Sequence, residues 1–288
     1  MIGSALMGEL VRAGHDVQAL VRDGAGKGSG VPWEVSSGRL HLQGFDPDVL
    51  IHLAGESLVN GKWTEEKMTA IRESRVNATR LLADWLSVQP NRPPVVFSAS
   101  GVGIYGTRAD RWVIETTPAS TDFLGQLCFD WERATQPLER AGARVAHLRF
   151  GMVLSAEGGA LAKMLPFFRW GLGGPAGGGS QWVSWITLDD VVRAILFMLD
   201  NENVSGPVNM VAPNPVTNAE FARTLAKAMK KPSFMRASPG LLHLFYGDMV
   251  DQTVLASQRV KPQALLEMGF EWVHPTLEGA LRAMLQRG

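Results

Sequence analysis

Strand and helix patterns alternate through the first two thirds of the chain, and this alternation restricts the fold more than any other feature. Short apolar stretches are separated by segments that carry apolar residues every three or four positions. Continuous apolar strands separated by helices are typical of a parallel sheet that helices cover on both faces. The predicted strands are residues 17–21, 31–35, 49–53, 95–97 and 145–148.

The N-terminal segment predicts the helix and second strand of a dinucleotide-binding βαβ unit. Apolar residues repeat at helical spacing over residues 2–11, and Gly14 stands where a left-handed cap would end the helix. In such a unit a strand and a glycine loop precede the helix. We therefore interpret Gly3 as the last glycine of that loop. We expect the first strand and most of the loop to be missing, as from a start codon assigned too far downstream.

Composition excludes several classes of protein. The chain has 288 residues, with 28 Lys+Arg and 28 Asp+Glu, so it carries no net charge that would favour nucleic acid or anionic lipid. The single cysteine, Cys128, indicates a reducing compartment, and no signal peptide or membrane span is visible. The histidines lack metal-ligand spacing. We expect a cytoplasmic protein without a metal, nucleic-acid or membrane partner, and the oligomeric state stays open.

The sequence pattern changes after Gly151. A glycine-rich stretch, residues 171–179, predicts a loop, and the last ~50 residues have helical periodicity. We predict a nucleotide-binding domain over residues 1–155. The remaining part, residues 156–288, would complete the sheet up to about residue 231 and end in a small helical domain, residues 232–288.

Arg22 follows the second predicted strand, where dinucleotide-binding folds contact the adenosine ribose. An acidic residue there accepts a hydrogen bond from the ribose 2′-hydroxyl, whereas an arginine suits a 2′-phosphate. A solvated arginine at a strand end is the alternative. In the context of the βαβ unit the phosphate interpretation leads, so we predict NADP(H) as the cofactor in preference to NAD(H).

Arg75 lies on the apolar stripe of a long predicted helix, which follows Thr64 and extends to about Leu86. A buried guanidinium group is costly unless it meets an anion. That anion could be a cofactor phosphate or a structural carboxylate, and the side chain could instead extend its charged end into water. The alternatives stay open, with a mild preference for the phosphate.

Two segments that follow predicted strands supply further candidate residues. Leu53-Ala54-Gly55 would lie at the carboxyl edge of the sheet, where ligands of open α/β sheets bind, although small residues also serve a tight turn. Residues 101–106 match GxGxxG, but no amphipathic helix follows, so we do not interpret them as the dinucleotide fingerprint. We expect a substrate-facing loop with Ser98, Ser100 and Tyr105; loop chemistry and core packing are the alternative.

Taken together, these residues resemble the extended short-chain dehydrogenase/reductases. They resemble most closely the atypical NAD-dependent-epimerase-like family, long described as nucleoside-diphosphate-sugar epimerases or cell-division-inhibitor-like proteins. The resemblance covers essentially the whole chain, and its C-terminal part resembles that family's small domain of unknown function. The segments that carry it are residues 52–56, 74–75, 98–106, 149–154, 172–175, 185–190, 206–209 and 258–262.

The resemblance implies an α/β, Rossmann-type doubly wound parallel sheet that binds NADP(H). Gly3, Gly55 and Ser98 are further candidates for cofactor binding from their place in the pattern. The cofactor contacts that the resemblance implies are Arg22, Leu53, Ala54, Arg75, Val153 and Leu154.

One departure from the superfamily pattern bears on activity. The Tyr-x-x-x-Lys pair, whose tyrosine acts as acid/base, should fall near residues 123–128, which contain neither residue type. One hypothesis is an NADP(H)-binding oxidoreductase or epimerase of unknown substrate. In it Ser100 is nearest the reacting carbon, and Tyr105 is a substitute acid. The alternatives are a non-catalytic NADP(H)-sensing or scaffold protein, and a truncated inactive product.

Overall fold

The computed structural model describes residues 1–22, 31–34, 39–40, 46–58, 61–90, 94–233 and 235–285. No helix among these residues is both long and apolar enough to cross a bilayer. A π-helical turn, Glu73–Asn77, joins α2 to α3, and a 3-10 helix, Val102–Tyr105, follows β5. The α-helices are α1 (Ile2–Arg12), α2 (Glu65–Arg72), α3 (Ala78–Ser87), α4 (Phe123–Arg133), α5 (Gln136–Arg140), α6 (Gly159–Arg169), α7 (Leu188–Leu199), α8 (Asn218–Ala228), α9 (Pro239–Tyr246), α10 (Met249–Gln252), α11 (Gln263–Glu267) and α12 (Leu277–Leu285). The strands are β1 (Leu20–Arg22), β2 (Val31–Glu34), β3 (Arg39–Leu40), β4 (Val49–His52), β5 (Val95–Gly101), β6 (Trp112–Val113), β7 (Arg144–Phe150), β8 (Met152–Leu154), β9 (Trp182–Val183), β10 (Trp185–Thr187), β11 (Gly206–Met210), β12 (Val216–Thr217) and β13 (Arg259–Val260).

The centre of the molecule is a parallel sheet with the strand order β11-β7-β5-β4. β5 and β7 pair along their whole length, from Val95 opposite Arg144 to Gly101 opposite Phe150. The five middle residues of each of these two strands are buried, as expected for strands that helices cover on both faces. The predicted α/β architecture with a parallel sheet is confirmed.

The two faces of the sheet pack against different helices because neighbouring residues of β5 point in opposite directions. Phe97 packs in one core with Leu10 of α1 and Ile195 of α7. Val96 packs in another core with Leu82 of α3. Burial of each such side chain contributes about 1.5–3 kcal/mol. The helices therefore cover the two faces of the sheet and fix the position of its carboxyl edge.

β1, β2 and β3 form a separate three-stranded sheet, in which β1 runs parallel to β2. β1 begins at Leu20 rather than at the predicted Val17, because Val17 packs against the main core and does not pair with a strand. The strand predicted at residues 31–35 is confirmed over 31–34. Within the described residues β4 pairs only with β5, so no ladder joins the two sheets there.

α1 ends in the glycine cap that the sequence predicts. Gly14 has a φ of +89°, and its N–H donates to the Val11 carbonyl oxygen at 3.0 Å. The N–H of His15 donates to the Leu10 carbonyl oxygen at 3.0 Å. These two bonds define a Schellman motif, which satisfies carbonyl groups at the end of the helix.

The long helix that the sequence predicts after Thr64 is present as α2, the π-helical turn and α3. The Thr64 hydroxyl caps α2 by accepting a hydrogen bond from the Lys67 N–H at 3.2 Å. Ile71, Arg75 and Leu82 are buried on one face, as predicted. The π-helical turn contains Arg75, and such turns often occur at functional sites.

A buried carboxylate ties the C-terminal part to the rest of the molecule. Thr187 caps α7 by accepting from the Asp190 N–H, which places the Asp190 side chain in the protein interior. The Asp190 carboxylate accepts hydrogen bonds from the N–H groups of Val273 and His274, at 2.8 and 3.0 Å. This contact holds the segment that precedes α12.

Candidate functional site

The carboxyl ends of β4 and β5 lie side by side at one edge of the central sheet, because the register pairs His52 with Ser98. Leu53, Ala54 and Gly55 continue the chain beyond β4. Ligands of parallel α/β sheets bind beyond this edge. The structure therefore brings these predicted cofactor-binding residues together at the place where a ligand would bind.

The guanidinium group of Arg75 lies flat against the main chain that follows β4. A Cβ atom at Gly55 would lie 3.1 Å from Arg75 Cζ, so a residue with a side chain there would press on the guanidinium group. Arg75 Nη2 donates to the Glu56 carbonyl oxygen at 2.8 Å, and Nη1 donates to that of Ile71 at 3.3 Å. The other face of the group lies over the Trp131 ring, 5.1 Å from its centroid.

These contacts bear on the alternatives that the sequence left open for Arg75. The side chain does not extend into water, because the residue is only 8% exposed. Burial lowers the pKa of Arg75 from its ordinary value, and the negative charge of Glu56 opposes that effect. In the part of the chain that the structure describes, its hydrogen bonds go to carbonyl oxygens. A phosphate partner for Arg75 stays a prediction.

Ser100, Glu132 and Arg149 form a buried polar network beside this edge. Ser100 Oγ donates to Glu132 Oε1 at 2.7 Å. Arg149 donates to both oxygens of the same carboxylate, from Nε and Nη2, each at 2.8 Å. Burial alone would lower the pKa of Arg149, but the hydrogen bonds and charge of Glu132 raise it above its ordinary value. The predicted polar group at Ser100 is therefore already engaged by a carboxylate.

Tyr105 lies inside the protein, in the 3-10 helix that follows β5. It is fully buried; its hydroxyl donates to Asn209 Oδ1 at 2.7 Å and accepts from Arg149 Nη1 at 2.9 Å. Burial raises the pKa of Tyr105 to about 12. The expected substrate-facing loop is thus a packed helical turn at Tyr105. The reason is that the Asn209–Arg149 pair satisfies the phenol only inside the core, which disfavours Tyr105 as a substitute acid.

Helix α4 occupies the place where the superfamily carries its Tyr-x-x-x-Lys pair. A second helix, α5, follows α4 after a short break, and Pro137 lies near the N-terminus of α5. α4 turns Cys128 toward Ser100. Burial and the charge of Glu132 raise the pKa of the Cys128 thiol to about 12. At neutral pH this thiol stays protonated and is a poor nucleophile.

A second buried polar cluster lies beneath the edge, around His52. The Thr79 hydroxyl accepts from Trp131 Nε1 at 2.9 Å, so its own proton is free for His52 Nε2, also at 2.9 Å. Burial lowers the pKa of His52 to about 4, so the ring is neutral at physiological pH. Ser98 Oγ is buried beside this cluster and has no hydrogen-bond partner within the described residues.

The remaining predicted cofactor residues are Gly3, Val153, Leu154 and Arg22. Gly3 lies in the first turn of α1, and no heavy atom lies within 4 Å of the point that a Cβ would occupy. Within the described residues no side chain caps this turn, so its N–H groups could bind an anion. Val153 and Leu154 belong to β8; Leu154 is fully buried in a core, and Val153 is half-buried. Arg22 ends β1, but its side chain lies outside the described residues.

Sequence reasoning missed Glu132 and Asn209 as members of the site. Glu132 follows Cys128 by four positions on α4, which places both on one helix face, and that spacing was a usable signal. Asn209 carried no such signal, because its contacts with Tyr105 and Lys261 join distant parts of the chain.

Comparison with known proteins identifies the family. Residues 1–211 match the NAD dependent epimerase/dehydratase family. The chain belongs to that family. Residues 239–284 match a domain of unknown function, as the resemblance implied. The predicted division at residue 155 is not tested by these matches and stays a prediction.

Curated relatives align with this family member over nearly its full length. An epimerase family protein of Mycobacterium bovis is 38% identical over 282 residues, which cover 98% of this chain and 93% of the relative. An epimerase family protein of Staphylococcus aureus is 36% identical over 293 residues, covering 99% and 96% of the two chains.

Solved structures show the same fold. A human epimerase family protein with NADPH superposes with a TM-score of 0.90 and 30% identity, covering 99% of this chain and 96% of that chain. A nucleoside-diphosphate sugar epimerase from Corynebacterium glutamicum gives a TM-score of 0.79 and 34% identity, covering 99% of this chain and 56% of that one. A UDP-glucose 4-epimerase from Thermotoga maritima, at 16% identity and a TM-score of 0.78, shares the fold alone.

Proposed function

We propose that this epimerase-family chain binds NADP(H) across the carboxyl edge of its central sheet, with Arg75 on a phosphate. The observation that carries the proposal is the buried guanidinium group of Arg75, which lies over Gly55 and uses main-chain carbonyl oxygens as its described hydrogen-bond acceptors. A negatively charged phosphate would offset the cost of burying that charge. The human relative solved with NADPH supports the choice of ligand.

The residues at the edge fit such a cofactor. Leu53 and Ala54 offer a small-residue surface against which a flat ring can lie, and the uncapped N-terminus of α1 offers N–H groups to a pyrophosphate. Arg22, at the end of β1, would bind the 2′-phosphate that distinguishes NADP(H) from NAD(H). When bound, the nicotinamide supplies or accepts a hydride.

The chemistry that the chain itself offers is limited to positioning and polarity. The Ser100 hydroxyl, once it has donated to Glu132, keeps lone pairs that can accept a hydrogen bond from a substrate hydroxyl group. This arrangement suits an oxidoreductase or epimerase acting on a hydroxyl or carbonyl compound. The substrate would have to bind beside Ser100.

A second candidate function, a non-catalytic NADP(H) sensor or scaffold, is favoured by one observation. The groups near Ser100 that could transfer a proton, Tyr105 and Cys128, are both buried with pKa values raised to about 12. A general acid works best with a pKa near the working pH. Cofactor binding without turnover would follow from this arrangement.

Direct titration of the protein with NADPH and with NADH tests the proposal. We expect NADPH to bind at least about tenfold more tightly, because a charge-assisted hydrogen bond to a phosphate is worth roughly 1.5–3 kcal/mol. Arg22→Ala should remove that preference and leave NADH affinity unchanged. Equal affinities of the wild-type protein for the two cofactors would contradict the assignment of NADP(H).

Variants of Arg75 test the phosphate contact separately. Arg75→Ala should weaken NADPH and NADH binding alike by about tenfold or more, since both cofactors carry the pyrophosphate. Arg75→Lys is the matched control, because it keeps the charge but loses the flat contact with Gly55. A large loss of stability with unchanged cofactor affinity would show that Arg75 is structural.

A further inference from the structure

One surface of the C-terminal part combines protruding apolar side chains with unshielded basic ones. We define the basic–aromatic face by six residues: Phe167, Trp170, Leu172, Lys230, Lys231 and Arg236. Trp170 is 81% exposed, the highest value among the large apolar residues that the structure describes. Phe167 and Leu172 are 59% and 55% exposed. A cluster of this kind on a folded protein marks an interaction surface.

The apolar half of the face is built by the end of α6. The Leu172 N–H donates to the Phe167 carbonyl oxygen at 2.9 Å, and the Gly171 N–H donates to that of Phe168 at 3.0 Å. With Gly171 at a φ of +72°, these bonds form a Schellman motif. The motif fixes the main chain of Leu172 beside the turn that carries Phe167.

The basic half is built by the end of α8, where a second motif of the same kind places one residue in a strained conformation. The Lys231 N–H donates to the Ala226 carbonyl oxygen and the Lys230 N–H to that of Lys227, at 2.9 and 3.1 Å. Lys230 has a φ of +53°, a left-handed conformation that favours glycine. Such strain in a residue other than glycine often marks a functional position.

The two helix ends meet, so the face is continuous. A Cβ at Gly171 would lie 3.5 Å from Pro232 Cγ, directly after Lys231. The Ala237 N–H donates to the Pro175 carbonyl oxygen at 3.0 Å, which places the exposed Arg236 along the same loop. The exposed basic residues therefore lie on turns that neighbour the turn carrying Trp170.

From this arrangement we infer that the basic–aromatic face binds the surface of a membrane that contains anionic lipids. Tryptophan residues concentrate at the level of lipid headgroups, and lysine and arginine side chains are attracted to anionic headgroups. Lysine is depleted in protein–protein interfaces, so the pair of lysines beside Trp170 favours a lipid surface over a protein partner. The inference goes beyond the proposed function and does not depend on it.

The proposed membrane contact differs from what we expected from the composition of the whole chain. Positive and negative residues balance over the whole chain, from which we expected no membrane partner. That balance describes the average of the molecule, whereas attraction to a membrane acts within a Debye length of the surface that faces it. Three exposed basic residues on turns next to an exposed tryptophan are a local property.

Sedimentation of the full chain with lipid vesicles tests the inference. We expect binding to phosphatidylcholine vesicles that contain about one third phosphatidylserine, weak binding to pure phosphatidylcholine, and release by salt. Trp170→Ser should lower the affinity about tenfold or more, and so should Lys230→Glu combined with Lys231→Glu. The matched controls are Val88→Ser, which removes an exposed apolar residue elsewhere, and Arg140→Glu, which reverses an exposed charge on α5.

The remaining outcomes each overturn the assignment. Absence of binding to the anionic vesicles would refute it, as would binding that both control variants lower as much as Trp170→Ser does. A mass that rises with protein concentration in the wild type but not in Trp170→Ser would indicate a second copy on this face. Thermal unfolding measured beside each titration separates a loss of binding from a loss of fold.

Discussion

Replacing Glu132 with glutamine would test whether the network beside Ser100 is held together by charge. Glu132 and Arg149 have side chains that are 11% and 8% exposed, and Arg149 donates two hydrogen bonds to the carboxylate. Glutamine has nearly the same shape but no charge. Its amide group would face one of the Arg149 donors, so one bond would be replaced by a contact between two donors.

The expected loss of stability follows from burial. Removing one partner of a buried ion pair costs about 3–5 kcal/mol, because the other charge stays desolvated. Glutamine keeps one carbonyl oxygen for Ser100 or Arg149, so we expect a loss near 3 kcal/mol in the free energy of unfolding. For a chain of this size that loss corresponds to a fall in Tm of about 6 °C.

Urea unfolding of Glu132→Gln and the wild type measures this loss. Glu139→Gln is the control, because it is the same substitution at a half-exposed position on the neighbouring helix α5, and we expect it to change stability by less than about 0.5 kcal/mol. Replacing both partners, with Glu132→Leu and Arg149→Met, should recover only part of the loss, because Ser100 and Tyr105 each still lose a hydrogen-bond partner. A loss below about 1 kcal/mol for Glu132→Gln would refute the argument from charge.

Three further outcomes follow from the same contacts. Tyr105→Phe should lower the free energy of unfolding by about 1–2 kcal/mol, measured in urea, because Asn209 loses its donor in the interior. Burial lowers the pKa of His52 from 6.5 to about 4. As the pH falls, the His52 ring therefore takes up a proton in the unfolded chain before it does so in the folded chain. Stability present above pH 6.5 should then fall by up to about 3 kcal/mol as the pH drops to 4, and His52→Gln should remove that part of the pH dependence. Gly55→Ala should displace the Arg75 guanidinium group and weaken NADPH binding in a titration, and unchanged affinity would contradict the close contact.

Local sequence patterns predicted most of the central fold. Thr64 and Gly14 act through contacts a few residues away, and the continuous apolar start of β5 reflects burial on both faces, so these features follow from capping and burial alone. The start of β1 was predicted too early, because whether Val17 joins a ladder depends on a distant strand rather than on its own apolar character.

The site was less predictable, because its contacts join segments that are far apart in the chain. Arg75 was correctly expected on a buried face, yet the sequence could not show that it would lie over Gly55. Tyr105 follows a strand at the edge where ligands bind, and only the positions of Asn209 and Arg149 draw its hydroxyl inward.

The charge arrangement at the sheet edge separates binding from acid–base chemistry. Glu132 is paired with Arg149, and raised pKa values keep Tyr105 and Cys128 protonated, so neither the phenol nor the thiol titrates near neutral pH. Arg75 differs, since its described hydrogen bonds go to carbonyl oxygens and its guanidinium group lies over an indole ring, with the charge of Glu56 nearby. We expect an edge of this kind to bind an anion and to receive no proton from Tyr105 or Cys128 near neutral pH. If the chain turns over a substrate with NADPH, the rate should therefore follow the ionisation of the substrate rather than that of a side chain at this edge.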